Sequence, residues 1–196
     1  MEESQDIAHF RSMPWCARHL STTKPNERIV VEQALSRRPK KRLEDALFSY
    51  TLHTDDTIAA FATFYTLPDP DDGRELVREL KAFLTLGPMV NGWPGICHGG
   101  IVMTIMDEVM GLLPPINKRR GLIPTLPFMT AYLNTQFIRP VKTAETRTAA
   151  KATILATARL DRIEGRKYFT NCTIEDESGT VLAKAEALFV LLKEKL

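Results

Sequence analysis

The sequence predicts an α+β fold: one curved antiparallel sheet wrapped around a single central helix, preceded by an N-terminal helical extension. Three observations predict it. Residues 91–113 read as a loop feeding a helix that is apolar nearly all round, and such a helix is a buried one. From residue 127 onward the pattern changes to period two in successive runs, the mark of antiparallel strands with one buried face. No other stretch is apolar enough to fill the concave side of that sheet, so the sheet must curl round this helix.

The elements follow in order. In residues 1–43, Pro14, Pro25 and Pro39 break any long element. The basic run Arg37-Arg38-Pro39-Lys40-Lys41-Arg42 has the form of a nuclear-import signal, but such short runs are more often solvated loops. Leu43, Ala46, Leu47 and Tyr50 have helical spacing, and Thr54-Asp55-Asp56 starts a second helix through Ile58, Ala59, Phe61, Ala62 and Tyr65. Pro68–Gly73 is turn chemistry and lacks the ligand spacing and distal glutamate of a calcium loop. Residues 1–75 therefore form the extension, and 76–196 the main domain. A strand over 80–88 stops at Gly87-Pro88. Gly99 and Gly100 open the central helix, and Pro114-Pro115 end it near Leu113. At about 15 residues this helix is too short to span a bilayer, which needs roughly 20. Residues 114–126, with three prolines, form a solvent-facing loop. Strands follow over 128–138, 145–161, 166–175 and 180–192, with turns at Glu164-Gly165 and Asp176–Gly179. In the first, alternation places Phe128, Thr130, Tyr132, Asn134 and Gln136 on one face.

Composition narrows the function classes. With 196 residues, 44% hydrophobic and 26% charged, the chain is an ordinary globular domain. A net charge of +2 gives no strong field toward nucleic acid or membrane. Cys16, Cys97 and Cys172 form neither a zinc spacing nor a disulfide framework, which favours a reducing compartment. The acidic start Met1-Glu2-Glu3 is unlike a signal or transit peptide, so a cytoplasmic protein is expected. No metal site is expected.

The motif His98-Gly99-Gly100, with Asp107 nine residues after the histidine, resembles the PaaI-type acyl-coenzyme A thioesterases of the hotdog-fold superfamily. Met129 to Asn134, through Arg139-Pro140, resembles the following strand in mammalian mitochondrial members. The Glu164–Lys167 turn and the Asp176–Ala183 hairpin also match, so the resemblance covers residues 78–192. It implies an acyl-coenzyme A thioesterase acting on a fatty-acyl or aryl-acyl thioester, with no cofactor because coenzyme A is part of the substrate. It also implies a homodimer, or a tetramer, with composite active sites. Thr130 stands where relatives carry a hydroxyl that holds the attacking water. Many members carry an asparagine six residues before the histidine; that position is Gly92 here, with Asn91 one residue earlier.

The residues support this chemistry independently. Thioester hydrolysis needs donors for the developing oxyanion, and the free amides of a helix N-terminus supply them. Gly99 and Gly100 let a substrate approach that backbone closely. Asp107 is the candidate general base or nucleophile. Gly99 and Asp107 lie about 12 Å apart along the axis at about 1.5 Å per residue, whereas one reacting carbonyl must sit about 3 Å from both donor and base. One helix cannot serve the same atom at both points, but the start of one helix and the middle of its twofold mate can. His98 and Asn91 are further oxyanion candidates. Glu108, about 100° round the helix from Asp107, is a subunit- or substrate-contact candidate, and Arg139, Lys142, Arg166 and Lys167 are candidates for the phosphates of coenzyme A. A cysteine nucleophile at Cys97 lacks an orienting partner. Two other functions fit the same fold: a non-catalytic acyl-coenzyme A-binding protein, and a hydratase or dehydratase.

Overall fold

The computed structural model describes residues 3–21, 28–67 and 75–193, so Pro25 and the expected turn at Pro68–Gly73 lie outside the described residues. In chain order the elements are α1 (Gln5–Arg11), α2 (Pro14–His19), β1 (Arg28–Gln33), β2 (Ile58–Leu67), β3 (Glu79–Leu86), the ribbon strands β4 (Asn91–Trp93) and β5 (Ile96–Cys97), α3 (Gly99–Gly111), α4 (Leu113–Arg119), β6 (Phe128–Phe137), β7 (Ala152–Glu164), β8 (Lys167–Glu175) and β9 (Val181–Leu191). Seven strands form one sheet in the order β1-β2-β3-β7-β8-β9-β6, antiparallel throughout. Helix α3 packs against β3, β6, β7, β8 and β9. Its Val102, Ile105, Met106, Val109 and Met110 are buried there, among inward residues such as Leu84, Ala156, Ile174, Ala187 and Phe189. The curved sheet around a central helix is thus as expected.

The outer face of the sheet holds a second core. Ile7, Phe10, Trp15, Cys16 and Leu20 of the N-terminal helices cover Ala60, Ala62, Phe64, Phe83 and Leu155. The Phe83 ring lies 5.4 Å from Phe10, 5.0 Å from Trp15 and 5.2 Å from Phe64, within the range of favourable aromatic pairs. This double coverage explains one failed expectation. The helix expected through residues 58–65 is strand β2, because a strand buried on both faces carries apolar residues continuously and shows no period of two. The N-terminal helices are present, but residues 28–33 and 58–67 are strands that extend the sheet beyond β3.

Three other expectations need correction. The helical spacing of 43–52 yields only a π-helical turn, Leu47–Thr51. Arg37 does not belong to a solvated loop: its side chain is fully buried, and its guanidinium donates to the carbonyls of Phe48, Leu52 and Ile58 at 3.4, 3.0 and 2.8 Å. It thereby pins residues 35–52 against β2, with the Asp6 carboxylate 3.7 Å from its Nε. Pro114 and Pro115 do not open a loop, but sit in the first turn of α4, where a missing amide hydrogen leaves no bond unmade. Asn117 of α4 is buried and clasps the Val77 backbone, accepting from its amide at 2.9 Å and donating to its carbonyl at 3.0 Å. Together Gly99–Arg119 reach the length and mean hydropathy of a membrane span, 21 residues and 1.3, but their apolar side is what the sheet encloses.

Candidate active site

Helix α3 is open to solvent along one side. Gly100 is exposed and Gly99, Met103, Thr104 and Asp107 are half-buried, on the side that the sheet leaves uncovered. The helix runs antiparallel to β6: a Cβ at Gly99 would meet the Phe137 ring at 3.4 Å, while Asp107 meets Thr130. Along α3 the two ends of the candidate site are thus eight residues apart.

At the first end, His98 is the N-cap, and its Nδ1 accepts from the Gly100 amide at 3.0 Å. An accepting Nδ1 places the proton of a neutral ring on Nε2. The Ile101 and Val102 amides both reach the His98 carbonyl. That leaves the Gly99 amide without an acceptor among the described residues. It borders a groove of about 350 Å³ that Val102, Phe137, Ile138 and Arg139 also line. A Cβ at Gly100 would press on the His98 ring at 3.1 Å, so this glycine serves the cap rather than the groove. Asn91 does not reach the groove with a free amide. Its Nδ2 donates to the Ala144 carbonyl at 3.0 Å, and its Oδ1 accepts from the Thr143 hydroxyl.

At the second end, Thr130 Oγ1 donates to Asp107 Oδ1 at 2.9 Å. Burial pushes the Asp107 carboxyl above its ordinary range, and the Thr130 hydrogen bond pulls it part of the way back. Alternation alone puts Thr130 on the face of Tyr132 and Asn134; the structure separates them. A β-bulge between Thr130 and Tyr132 adds one unpaired residue, which inverts the alternation beyond it. Thr130 therefore pairs with inward Phe189, while Asn134 pairs with Glu186 on the outer face and donates to its carboxylate at 3.0 Å.

Glu108 turns away from Asp107 toward residues 36–45. Burial lifts its carboxyl to about 7, with the charges of Asp45 and Asp107 adding to the rise. Lys40 and the Ser36 hydroxyl act in the opposite direction, although Ser36 Oγ is not in hydrogen-bond geometry with it. The four candidate cations split between the ends. Arg139 and Lys142 follow β6 beyond Phe137, near Gly99, whereas Arg166 and Lys167 lie at the β7–β8 turn, beside the Leu191 that pairs with Phe128. Cys97 is buried, and burial lifts its thiol to about 12, which leaves it without nucleophilic character at neutral pH. Phe137, which walls Gly99, carries no signal of that role in the sequence, because a strand phenylalanine is ordinary core material.

Beside β6 the sheet ends. This edge strand is largely exposed, with Met129, Tyr132 and Phe137 at 44%, 40% and 54%. Next to the open face of α3, this edge leaves backbone donors and acceptors and apolar side chains without partners among the described residues.

Comparison with known proteins gives a consistent picture. A family model described as the thioesterase superfamily matches residues 94–183. Verlamelin biosynthesis protein B from a Lecanicillium species is 31% identical, over 74% of this chain and 71% of that protein. Acyl-coenzyme A thioesterase THEM4 of Xenopus laevis is 26% identical, over 79% of this chain and 60% of that protein. The chain thus spans less than two thirds of THEM4. Among solved structures, the candidate thioesterase yhdA of Lactococcus lactis superposes with a TM-score of 0.50, covering 60% of this chain and 84% of that one at 15% identity. At that identity the likeness concerns the fold alone, which is the hotdog fold.

Proposed function

The chain belongs to the thioesterase superfamily, and from that premise we propose that it hydrolyses acyl-coenzyme A thioesters in composite sites of a homodimer. One observation carries the reading: the open side of α3 presents a Gly99 amide without an acceptor among the described residues and a carboxylate held by a hydroxyl at Asp107. The name of the relative THEM4 supports the substrate class.

In the proposed reaction the thioester carbonyl lies against the Gly99 amide, which bonds its oxygen as negative charge develops there. Asp107 takes a proton from a water that Thr130 helps to hold, and the water oxygen attacks the carbonyl carbon. Collapse of the tetrahedral intermediate breaks the C–S bond, and the departing thiolate takes up the proton that Asp107 received. Free acid and coenzyme A result, with no further cofactor. The raised range of Asp107 suits a base that must both accept and return a proton. The eight-residue offset between Gly99 and Asp107 requires that a partner subunit supply one of the two, and the exposed edge of β6 beside them is where it would dock.

The test is thiol release from a panel of acyl-coenzyme A esters, with molecular mass in solution measured alongside. Saturable release by a dimer, lost in folded and dimeric Asp107→Asn, is expected. Tight binding without release by the wild type would instead make the chain a binding protein. Wild-type turnover in Asp107→Asn would remove Asp107 from the chemistry.

A further inference from the structure

A cavity of about 520 Å³ opens between the start of α2 and the first residues of β7 and β9. Met13, Trp15, Ile154 and Leu182 supply apolar wall, and Arg139 and Lys142 also line it. Its size falls within the range of roughly 300–1,000 Å³ typical of small-molecule sites. It is not a symptom of loose packing, because the adjoining layer is tight: Trp15 stands edge-on to Phe83 at 5.0 Å and 87°. Residues 13 and 15 lie outside the stretch that matches the family model, so this cavity depends on the N-terminal helices.

The polar lining narrows the ligand. Arg139, Lys142 and Lys151 line the cavity together with Asp176 and Glu177. Lys151 is paired with Asp55 at 2.7 Å. Asp176 Oδ1 already accepts from the Ser178 and Thr180 amides and from the Ser178 hydroxyl, and Lys142 is near enough to act on it. Arg139 has no carboxylate partner among the described residues and donates to the Val181 carbonyl at a long 3.3 Å. The buried indole N–H of Trp15 finds no acceptor among them either. The site therefore combines apolar walls, unused donors and Arg139, a cation without a carboxylate partner among the described residues.

We propose that this cavity binds a fatty monocarboxylate, with its alkyl chain along Met13, Trp15, Ile154 and Leu182 and its carboxylate at Arg139. One guanidinium without a carboxylate partner among the described residues, with Asp176 and Glu177 also lining the cavity, suits a single negative charge and not the several charges of a nucleotide phosphate. The proposal concerns equilibrium binding and is independent of whether the chain turns over a thioester.

The chain has two tryptophans, and Trp93 is exposed, so Trp93→Phe leaves Trp15 as the sole emitter. Titrating this variant with sodium dodecanoate should shift Trp15 emission saturably. Dodecanol, which lacks the charge, should bind roughly tenfold or more weakly, as should dodecanoate to the variant carrying Arg139→Gln, a loss of about 1.4 kcal/mol. Ala152→Phe, which fills the cavity, should abolish the shift. Circular dichroism checks each variant for folding, and Arg139→Gln carries the test if Ala152→Phe does not fold. An absent or non-saturable response to dodecanoate overturns the proposal. So does an unchanged affinity in Arg139→Gln, or an undiminished response in folded Ala152→Phe. Coenzyme A that shifts Trp15 and displaces dodecanoate also overturns it, by making the cavity part of a nucleotide site.

Discussion

Thr130→Val tests the proposed catalytic pair most directly, because valine keeps the shape of threonine and deletes only the hydroxyl. In the folded chain that hydroxyl donates to Asp107 at 2.9 Å. A hydrogen bond to a charged group contributes about 1.5–3 kcal/mol. Thr130 is exposed and Asp107 half-buried, and water replaces part of what is lost, so about 1–1.5 kcal/mol is the expected net loss. At about 1.36 kcal/mol per decade, kcat/KM should fall roughly five- to tenfold. The pH profile carries a second signature. Burial raises the Asp107 carboxyl and Thr130 lowers it, so deleting the hydroxyl lets it rise further. A base works only when ionised, so the acid limb of the kcat/KM profile must move to higher pH. Thiol release followed across that limb, in wild type and variant, measures both effects. An acid limb that stays in place or moves to lower pH refutes the claim that Thr130 supports the ionised form of Asp107.

Other consequences are equally direct. Glu108 is lifted by burial from 4.5 to about 7, so the folded chain holds a proton that the unfolded chain releases in this window, and stability falls as pH rises through it. Glu108→Gln should match the wild type near pH 4.5 and exceed it above pH 7 by up to roughly 3 kcal/mol, at about 1.36 kcal/mol per pH unit; equal urea midpoints throughout would contradict the assignment. Arg37→Met strips three buried carbonyls of their donor and leaves the Asp6 carboxylate with the Gln33 amide but no cation. It should cost about 3–5 kcal/mol, read as a Tm lower by roughly 6–20 °C, and a loss below 1 kcal/mol would mean that the strap 35–52 is held otherwise. Gly99→Ala meets only the Phe137 ring, at 3.4 Å, so it should leave Tm within a few degrees while reducing kcat/KM about tenfold or more by crowding the oxyanion site. An alanine variant with wild-type kcat/KM would show that substrate does not approach this amide.

The sequence was legible wherever a pattern arises from one buried face. Strands β6, β8 and β9 alternate because one side meets α3 and the other does not. The central helix was legible for the opposite reason, since uniform apolarity is compatible with little except enclosure. Glycines 99 and 100, the histidine before them and the acid nine residues on marked the two ends of the candidate site, and their spacing is what the proposal of two helices from a dimer rests on. By contrast, Ile58–Tyr65 misled because its second face is covered by α1 and α2, and double coverage erases the period that separates strand from helix. Pro114 and Pro115 misled because a proline ends one helix and begins another with equal ease, and only the packing of α4 decides which.

Local chemistry, then, is what the chain determined by itself: turns, caps, the enclosed helix and the residue types available to the proposed hydrolysis. Tertiary structure decided what depends on partners distant in sequence. It buried Arg37 beneath three carbonyls from another segment, occupied Asn91 with Thr143 and Ala144, and used a bulge to turn Thr130 inward to Asp107. Each of these follows from satisfying buried polar groups and from register across the sheet, and neither is written in the spacing of neighbouring residues.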